Sequence, residues 1–308
     1  MLRTFFVRLS ENPTIRRFAE RSSVGRRVSG RFVAGTEIAD AVRATQTVNR
    51  SGISVTIDNL GENVTNPEEA RHSAQLYQQI LDAIVTNHLD ANISLKLTHM
   101  GLDVDEALAR EIVSSLVAKA ASMNPPGFVR VDMEGSPYTQ RTLDFVHELH
   151  RMPGNAKSVG TVIQAYLKRS EADVEKLLAE GIRIRLCKGA YKESPDIAFA
   201  AKADVDANYV KLMKTLMKSG IYHGLATHDE AIVRQAQVFA TQENISRDSF
   251  EFQMLYGIRR DLQQNLVREG WRVRVYIPFG TEWYPYFMRR LGERPANVLF
   301  IARNLLRA

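Results

Sequence analysis

At 308 residues, with 44% hydrophobic and 25% charged side chains, the chain has the composition of a folded protein and the length of one barrel-type domain or two ordinary ones. Cys187 is the single cysteine, which excludes intramolecular disulfides and multi-cysteine metal sites and fits a reducing compartment, so cytoplasm is the expected location. Forty-one Lys and Arg against 35 Asp and Glu give a formal charge of +6, and no apolar run reaches the roughly 20 residues that a membrane span needs.

Much of the basic excess falls within residues 1–50, where arginines recur from Arg3 to Arg50. Such a segment can meet an anionic membrane surface or nucleic acid, but solvated helix faces are the commoner explanation. The opening stretch lacks the apolar region of a signal peptide, and Glu11 and Glu20 argue against a transit peptide. Residues 1–50 read as a helical segment packed on the remainder of the chain, and residues 51–308 as the catalytic domain.

From residue 54 onward, short β-branched runs alternate with amphipathic helical ones. The strands are expected at 54–60, 91–97, 128–133, 161–166, 182–188, 224–227, 250–255 and 273–277. A helix over 67–89 opens with Asn66 as cap, Pro67 in its first turn, and Glu68 and Glu69 favourable to the helix dipole. Further helices are expected to begin at Val104, Tyr138, Glu171, Pro195, Glu230, Arg259 and near Trp283, with Gly181, Gly220 and Gly270 ending three of them. Eight such units imply an α/β fold of the (βα)8 TIM-barrel type, with extra N-terminal helices and a C-terminal helix over the barrel mouth. A doubly wound open sheet competes, but no G-x-G-x-x-G turn is present to announce it.

In such a barrel, chemistry sits where the strands end. That rule collects Asp58, Glu62, Lys96, Asp132, Glu134, Gln164, Arg185, Lys188, Thr227, His228, Glu251, Gln253 and Tyr276. Any one of these has a structural explanation, as an internal ion pair or a satisfied core histidine; together they are costly to bury without a ligand. Lys188-Gly189-Ala190-Tyr191 sets small residues and a cation at a strand end, which lets backbone amides approach a phosphate. Between Tyr276 and Asn297, the adjacent Arg289 and Arg290 can clamp a carboxylate, and tyrosines supply flat walls for a small ring. Neighbouring helical residues point about 100° apart, so two such arginines on their own are usually surface charge.

With these residues assembled, the chain resembles proline dehydrogenase, the flavin enzyme of proline catabolism, in its stand-alone bacterial form. The matching segments are Ser94-Leu-Lys96-Leu, Val131-Asp132-Met133-Glu134, Gln164-Ala-Tyr166, Arg185-Leu-Cys-Lys188-Gly-Ala-Tyr191, Ala226-Thr-His228, the run from Phe250 to Gly257, and that from Tyr276 to Asn297. The resemblance covers nearly all of residues 50–308 and is looser before them. It implies FAD-dependent oxidation of L-proline to Δ1-pyrroline-5-carboxylate by hydride transfer to flavin N5, with electrons passed to a membrane quinone and peripheral contact at the inner face of the cell membrane left open.

The resemblance also implies roles. Asp132, Arg185 and Tyr276 would be catalytic, with Arg185 beside flavin N5. Lys96, Arg289 and Arg290 would hold the substrate carboxylate, Glu62 and Glu293 would orient those cations, and Tyr286 would wall the ring with Tyr276. Met133, Gln164, Arg185, Lys188, Gly189, Ala190, Thr227 and His228 would bind FAD. No metal and no nucleic acid is expected. Two rivals stand beside this reading: a Schiff-base lyase of the aldolase type using Lys96 or Lys188 as the nucleophilic amine, and a non-enzymatic basic barrel that binds through its N-terminal helices.

Overall fold

The structure is a computed structural model that describes residues 29–293, with side chains as far as Met288. Expectations for residues 1–28 and for the side chains of Arg289, Arg290 and Glu293 lie outside the described residues.

Helix α1 (Ile38–Asn49) leads into strand β1 (Ser54–Asn59), followed by α2 (Pro67–Thr86), β2 (Ala91–Leu95), a 3-10 turn (Thr98–Met100), α3 (Glu106–Ser122), β3 (Val129–Val131), α4 (Ser136–Arg151), β4 (Val159–Gln164) and α5 (Ser170–Ala179). The second half continues with β5 (Arg183–Cys187), α6 (Lys202–Lys218), β6 (His223–Ala226), α7 (Glu230–Gln242), β7 (Phe250–Leu255), α8 (Arg260–Arg268), β8 (Val273–Phe279) and α9 (Trp283–Glu293). All neighbouring strands pair in parallel, and β1 pairs with both β2 and β8, so the sheet closes into an eight-stranded barrel. No helix among the described residues is long and apolar enough to cross a membrane.

Local chemistry fixes where elements begin. Asn66 caps α2 by accepting from the Glu69 amide at 2.9 Å, and Asp105 caps α3 by accepting from the amides of Ala107 and Leu108. The residues expected to end helices at Gly181, Gly220 and Gly270 do follow the caps of α5, α6 and α8, all at positive φ. Helix α6 starts at Lys202 rather than near Pro195. Its upstream segment spends backbone bonds elsewhere: the Lys168 amide donates to Ile197 O at 2.9 Å and the Phe199 amide to Tyr166 O at 2.8 Å, an extended pairing incompatible with helix.

Apolar strand residues such as Val55, Ile57, Ile93, Leu95, Ile184 and Leu186 pack outward against the helices in one continuous core. A second apolar cluster joins Phe32, Val33, Leu60, Ile258, Trp283, Tyr284, Tyr286, Phe287 and Met288. Here the segment before α1 meets α9: the Ala34 amide donates to Pro278 O at 2.9 Å, the Gly280 amide to Gly35 O at 3.0 Å, and the rings of Phe32 and Phe287 lie 6.1 Å apart.

The inside of the barrel is polar, and small residues make room for large ones. A Cβ on Gly224 would stand 2.3 Å from the Gln253 amide, and one on Gly160 would stand 3.1 Å from Arg130 Nη1. The interior therefore holds two layers of long polar side chains instead of the branched aliphatics common in such barrels.

Candidate active site

At the mouth, one carboxylate gathers donors from three strands. Asp132, just past β3, accepts at Oδ1 from Arg185 Nη1 and from Ser94 Oγ, both at 2.7 Å, and at Oδ2 from the Tyr276 hydroxyl at 2.9 Å. Arg185 crosses the barrel from β5: its Nε donates to Gln253 Oε1 at 2.6 Å, and its guanidinium lies 5.2 Å from the Tyr276 ring centroid. Two expected site residues from strands far apart in sequence thus meet on Asp132, which makes it a fixed anion.

Lys96, just past β2, is half-buried beside this group. Burial works against its charge, but Asp58, Asp132 and Glu62 outweigh it and hold the ammonium above the ordinary lysine range. An amine kept protonated is a poor nucleophile, which counts against the Schiff-base rival at Lys96. Glu62 sits exposed on the loop after β1, within electrostatic range of Lys96.

Asp58, near the end of β1, is 2% exposed, and burial lifts its carboxyl to about 6 against the pull of Lys96. The strand-end rule places it at the mouth without giving it a task. Tyr77 escapes that rule altogether: from α2 its hydroxyl reaches between β1 and β2, donating to Ser94 O at 2.7 Å and accepting from the Asn59 amide at 3.2 Å. Nothing in its helical spacing separates it from an ordinary core tyrosine. Tyr191 ends the Lys-Gly-Ala-Tyr turn with much of its surface exposed; partial burial of its hydroxyl, with Glu134, Glu62 and Asp132 adding to the effect and Lys96 opposing it, holds its pKa above the ordinary tyrosine value, so it lies within electrostatic range of the same cluster.

A second strip of groups runs along the ends of β4 to β6. Gln164 donates to Glu134 O at 2.9 Å, and Met133 is buried beside them. Glu134 is a clamp: its two oxygens accept from the amide and hydroxyl of Thr98, at 3.1 and 2.6 Å, and so hold the turn that follows Lys96. Lys188 is paired with Asp206 of α6 and, at 3.0 Å, with Asp229, the cap of α7. Gly189 has φ +110°, and a Cβ there would stand 2.2 Å from the Tyr166 ring, so glycine is required at this bend; Ala190 beside it is exposed. The Thr227 hydroxyl oxygen accepts from the Asp229 amide at 3.0 Å, and His228 Nε2 accepts from the Leu255 amide at 2.9 Å.

One expectation is corrected. Glu251, expected among the mouth groups, lies in the lower layer, where it takes Arg274 Nε at 2.7 Å and the Tyr222 hydroxyl at 2.8 Å. Residues 251 and 253 share the inward face of β7, yet a two-residue step along a strand moves a side chain one layer down the barrel. Tyr286 is buried in the apolar cluster of α9, and the helix backbone carries positions 289, 290 and 293 onward from it.

Comparison with known proteins adds to this geometry. A family model described as proline dehydrogenase matches residues 41–303. Proline dehydrogenase 1 of Bacillus subtilis (strain 168) is 40% identical over 308 residues, covering 100% of both chains. The proline dehydrogenase of Deinococcus radiodurans is 38% identical over 302 residues, covering 97% of this chain and 96% of that one. Among solved structures, proline utilization A from Bdellovibrio bacteriovorus, inactivated by N-propargylglycine, matches 87% of this chain with a TM-score of 0.80 and 25% identity. The match takes in 32% of that longer protein, so this chain spans about a third of its length.

Proposed function

The chain belongs to the proline dehydrogenase family, and from that premise we propose that it oxidises L-proline to Δ1-pyrroline-5-carboxylate, uses FAD as hydride acceptor, and passes the electrons to a membrane quinone. The observation that carries the reading is the convergence of Ser94, Arg185 and Tyr276 on Asp132 with the charged Lys96 alongside, a rigid mouth built to fix an anionic substrate. Lys96 supplies one cation to the substrate carboxylate; Arg289 and Arg290 supply the others, Glu62 and Glu293 orient them, and Tyr276 and Tyr286 wall the ring.

The strip along β4 to β6 suits FAD by its donor chemistry. Lys188 has three N–H groups, of which Asp206 and Asp229 take two, so one is left for a phosphate. Because Thr227 Oγ1 accepts a backbone amide, its hydroxyl hydrogen points elsewhere and remains a donor, and His228 is held beside it by the Leu255 amide on Nε2. Gln164 and Met133 line the approach, and the bend at Gly189 and Ala190 brings backbone close. When bound, FAD would supply the hydride acceptor at N5, and Arg185, in the role the family resemblance gives it, would favour the electron-rich reduced form. Within this reading, residues 51–308 are the catalytic domain, residues 1–50 pack on it, and the enzyme works at the cytoplasmic face of the membrane that holds its quinone.

Anaerobic addition of L-proline to the purified yellow protein tests the proposal: the flavin absorption bleaches, and Arg289→Met or Arg290→Met raises the proline KM by about tenfold or more while flavin stays bound. A protein that carries no flavin and takes up none, or variants with unchanged proline affinity, would overturn it.

A further inference from the structure

Lys96 and Glu62 follow different strands, yet one short turn fixes the backbone on either side of both. The β2 to β3 ladder ends where the Asp132 amide donates to Leu95 O at 2.8 Å. Past that point side chains tie the two strand ends together. Two residues before Lys96, Ser94 Oγ donates to Asp132 at 2.7 Å; two residues after it, Thr98 donates its amide to Glu134 Oε1 at 3.1 Å and its hydroxyl to Glu134 Oε2 at 2.6 Å. The last of these has the short length of a hydroxyl on a carboxylate. The Lys96 carbonyl is itself held by the Met100 amide at 3.2 Å.

The same turn seats the loop after β1. The Asn63 amide donates to Thr98 Oγ1 at 3.3 Å, and the Val64 amide to Thr98 O at 3.4 Å. On the other side of Glu62, Gly61 lies against the His99 ring, where a Cβ would stand 2.3 Å from Nε2 and 2.4 Å from Cε1. Gly61 is not among the glycines at positive φ, so its missing side chain serves this close approach and not a turn. His99 has little room to yield, being buried with its ring edge-on to that of Tyr77, centroids 6.3 Å apart. Glu62 is thus held between Gly61 on His99 and Asn63 on Thr98, as Lys96 is held between Ser94 and Thr98.

A threonine hydroxyl has one hydrogen to give and lone pairs to receive. Here the hydrogen goes to Glu134 and the Asn63 amide takes a lone pair, so one buried side chain joins the ends of β1, β2 and β3. We propose that Thr98, with His99 beside it, is a positioning residue for substrate affinity: it sets the spacing of Lys96 and Glu62, and with it the place where the substrate carboxylate is held. The inference rests on the chain being a flavin-dependent proline dehydrogenase whose carboxylate site includes Lys96. Both residues are buried and act through Lys96 and Glu62, so their effect falls on binding and not on the hydride step.

The test is anaerobic flavin reduction by L-proline in the holoenzyme, read as a limiting rate and a half-saturating proline concentration. Thr98→Val keeps the shape of the side chain and removes the hydroxyl; half-saturation rises about tenfold, the size of one hydrogen bond to a charged group, while the limiting rate stays within about twofold. Thr98→Ser, which keeps the hydroxyl, restores the parent value. The dissociation constant of tetrahydrofuran-2-carboxylate, followed by its perturbation of the flavin spectrum, rises in step with half-saturation. Gly61→Ala pushes the loop off His99 and leaves the Thr98 to Glu134 bonds in place. It raises half-saturation in the same sense and decides the matter should Thr98→Val fail to fold. A Thr98→Val enzyme that melts earlier but keeps the parent half-saturation has lost only a structural tie, and overturns the assignment. A limiting rate that falls more than half-saturation rises, loss of bound flavin, or failure of serine to restore affinity overturns it as well. A parent holoenzyme that proline does not reduce at all overturns the proposed function instead.

Discussion

At the lower end of the barrel interior, Arg274 pairs with the carboxylate of Glu251 and Arg130 and Arg183 lie within its electrostatic range, whereas at the mouth Lys96 and Arg185 face Asp58 and Asp132. The lower arginines lean largely on uncharged groups besides that one carboxylate: Arg130 Nη1 donates to Thr161 O and Arg183 O at 2.9 and 2.8 Å, Arg274 donates to Val55 O at 2.7 Å as well as to Glu251, and Arg183 stacks on Phe128 and Tyr222. The upper charges are balanced by carboxylates, one of them poorly solvated.

The two ends consequently respond to pH with opposite sign. Burial alone would raise Glu251, but Arg274 overcomes it and the carboxyl ends below its ordinary value, so its contribution to stability is present above the unfolded-state pKa and lost as pH falls through the folded one. Asp58 is raised from 3.8 to about 6, so its contribution is present below 3.8 and lost as pH rises through about 6. One end is tuned for holding the fold at neutral pH, and the other is strained at the pH where it works.

The sharpest way to break this contrast is Glu251→Gln. It leaves Arg274 buried without its counter-charge and lowers stability by about 3–5 kcal/mol in denaturant titration at about pH 7.5. Flavin reduction by proline per folded molecule stays near the parent value; a loss of turnover without a loss of stability would erase the division between the ends. Next in size is Asp58→Asn. Removing a carboxylate whose charged form burial disfavours stabilises the fold by roughly 2–3 kcal/mol at about pH 7.5, and the gain shrinks as pH falls toward the ordinary carboxylate range. A variant less stable than the parent at that pH would show that the mouth is not strained. Smallest is Ser94→Ala, which deletes one of three donors to Asp132 but leaves Arg185 and Tyr276 in place. The expected cost is about 1 kcal/mol in turnover, a several-fold drop, with little change in melting temperature.

The barrel is legible in the sequence because strand and helix periods alternate cleanly, and β7 is bounded to the residue at Phe250–Leu255. The ends of β3 are not, since the alternation of apolar Val129, Val131 and Met133 with polar Arg130 and Asp132 runs on past the pairing with β2 and β4, which covers Val129–Val131. At the site, polar residues at strand ends stand out on a single strand, which is why Asp132, Arg185 and Tyr276 could be named. Depth is a property of register between strands, and so Glu251 was put at the wrong end. Tyr77 is hidden for a different reason: its aromatic body belongs to the core and only its hydroxyl, buried between β1 and β2, belongs to the site.

Closure of the sheet also bears on how the protein is made. Strand β1 gains its second neighbour only when β8 has emerged from the ribosome, and the segment at residues 29–35 must wait for Pro278, Gly280 and Phe287 before its cluster is complete. Throughout most of synthesis, therefore, β1 presents an unpaired edge and Phe32 and Val33 an uncovered apolar surface. Nascent chains stalled before residue 273 should occupy chaperones and be cut readily by protease, while completion of the last two elements seals both ends of the described chain in one event.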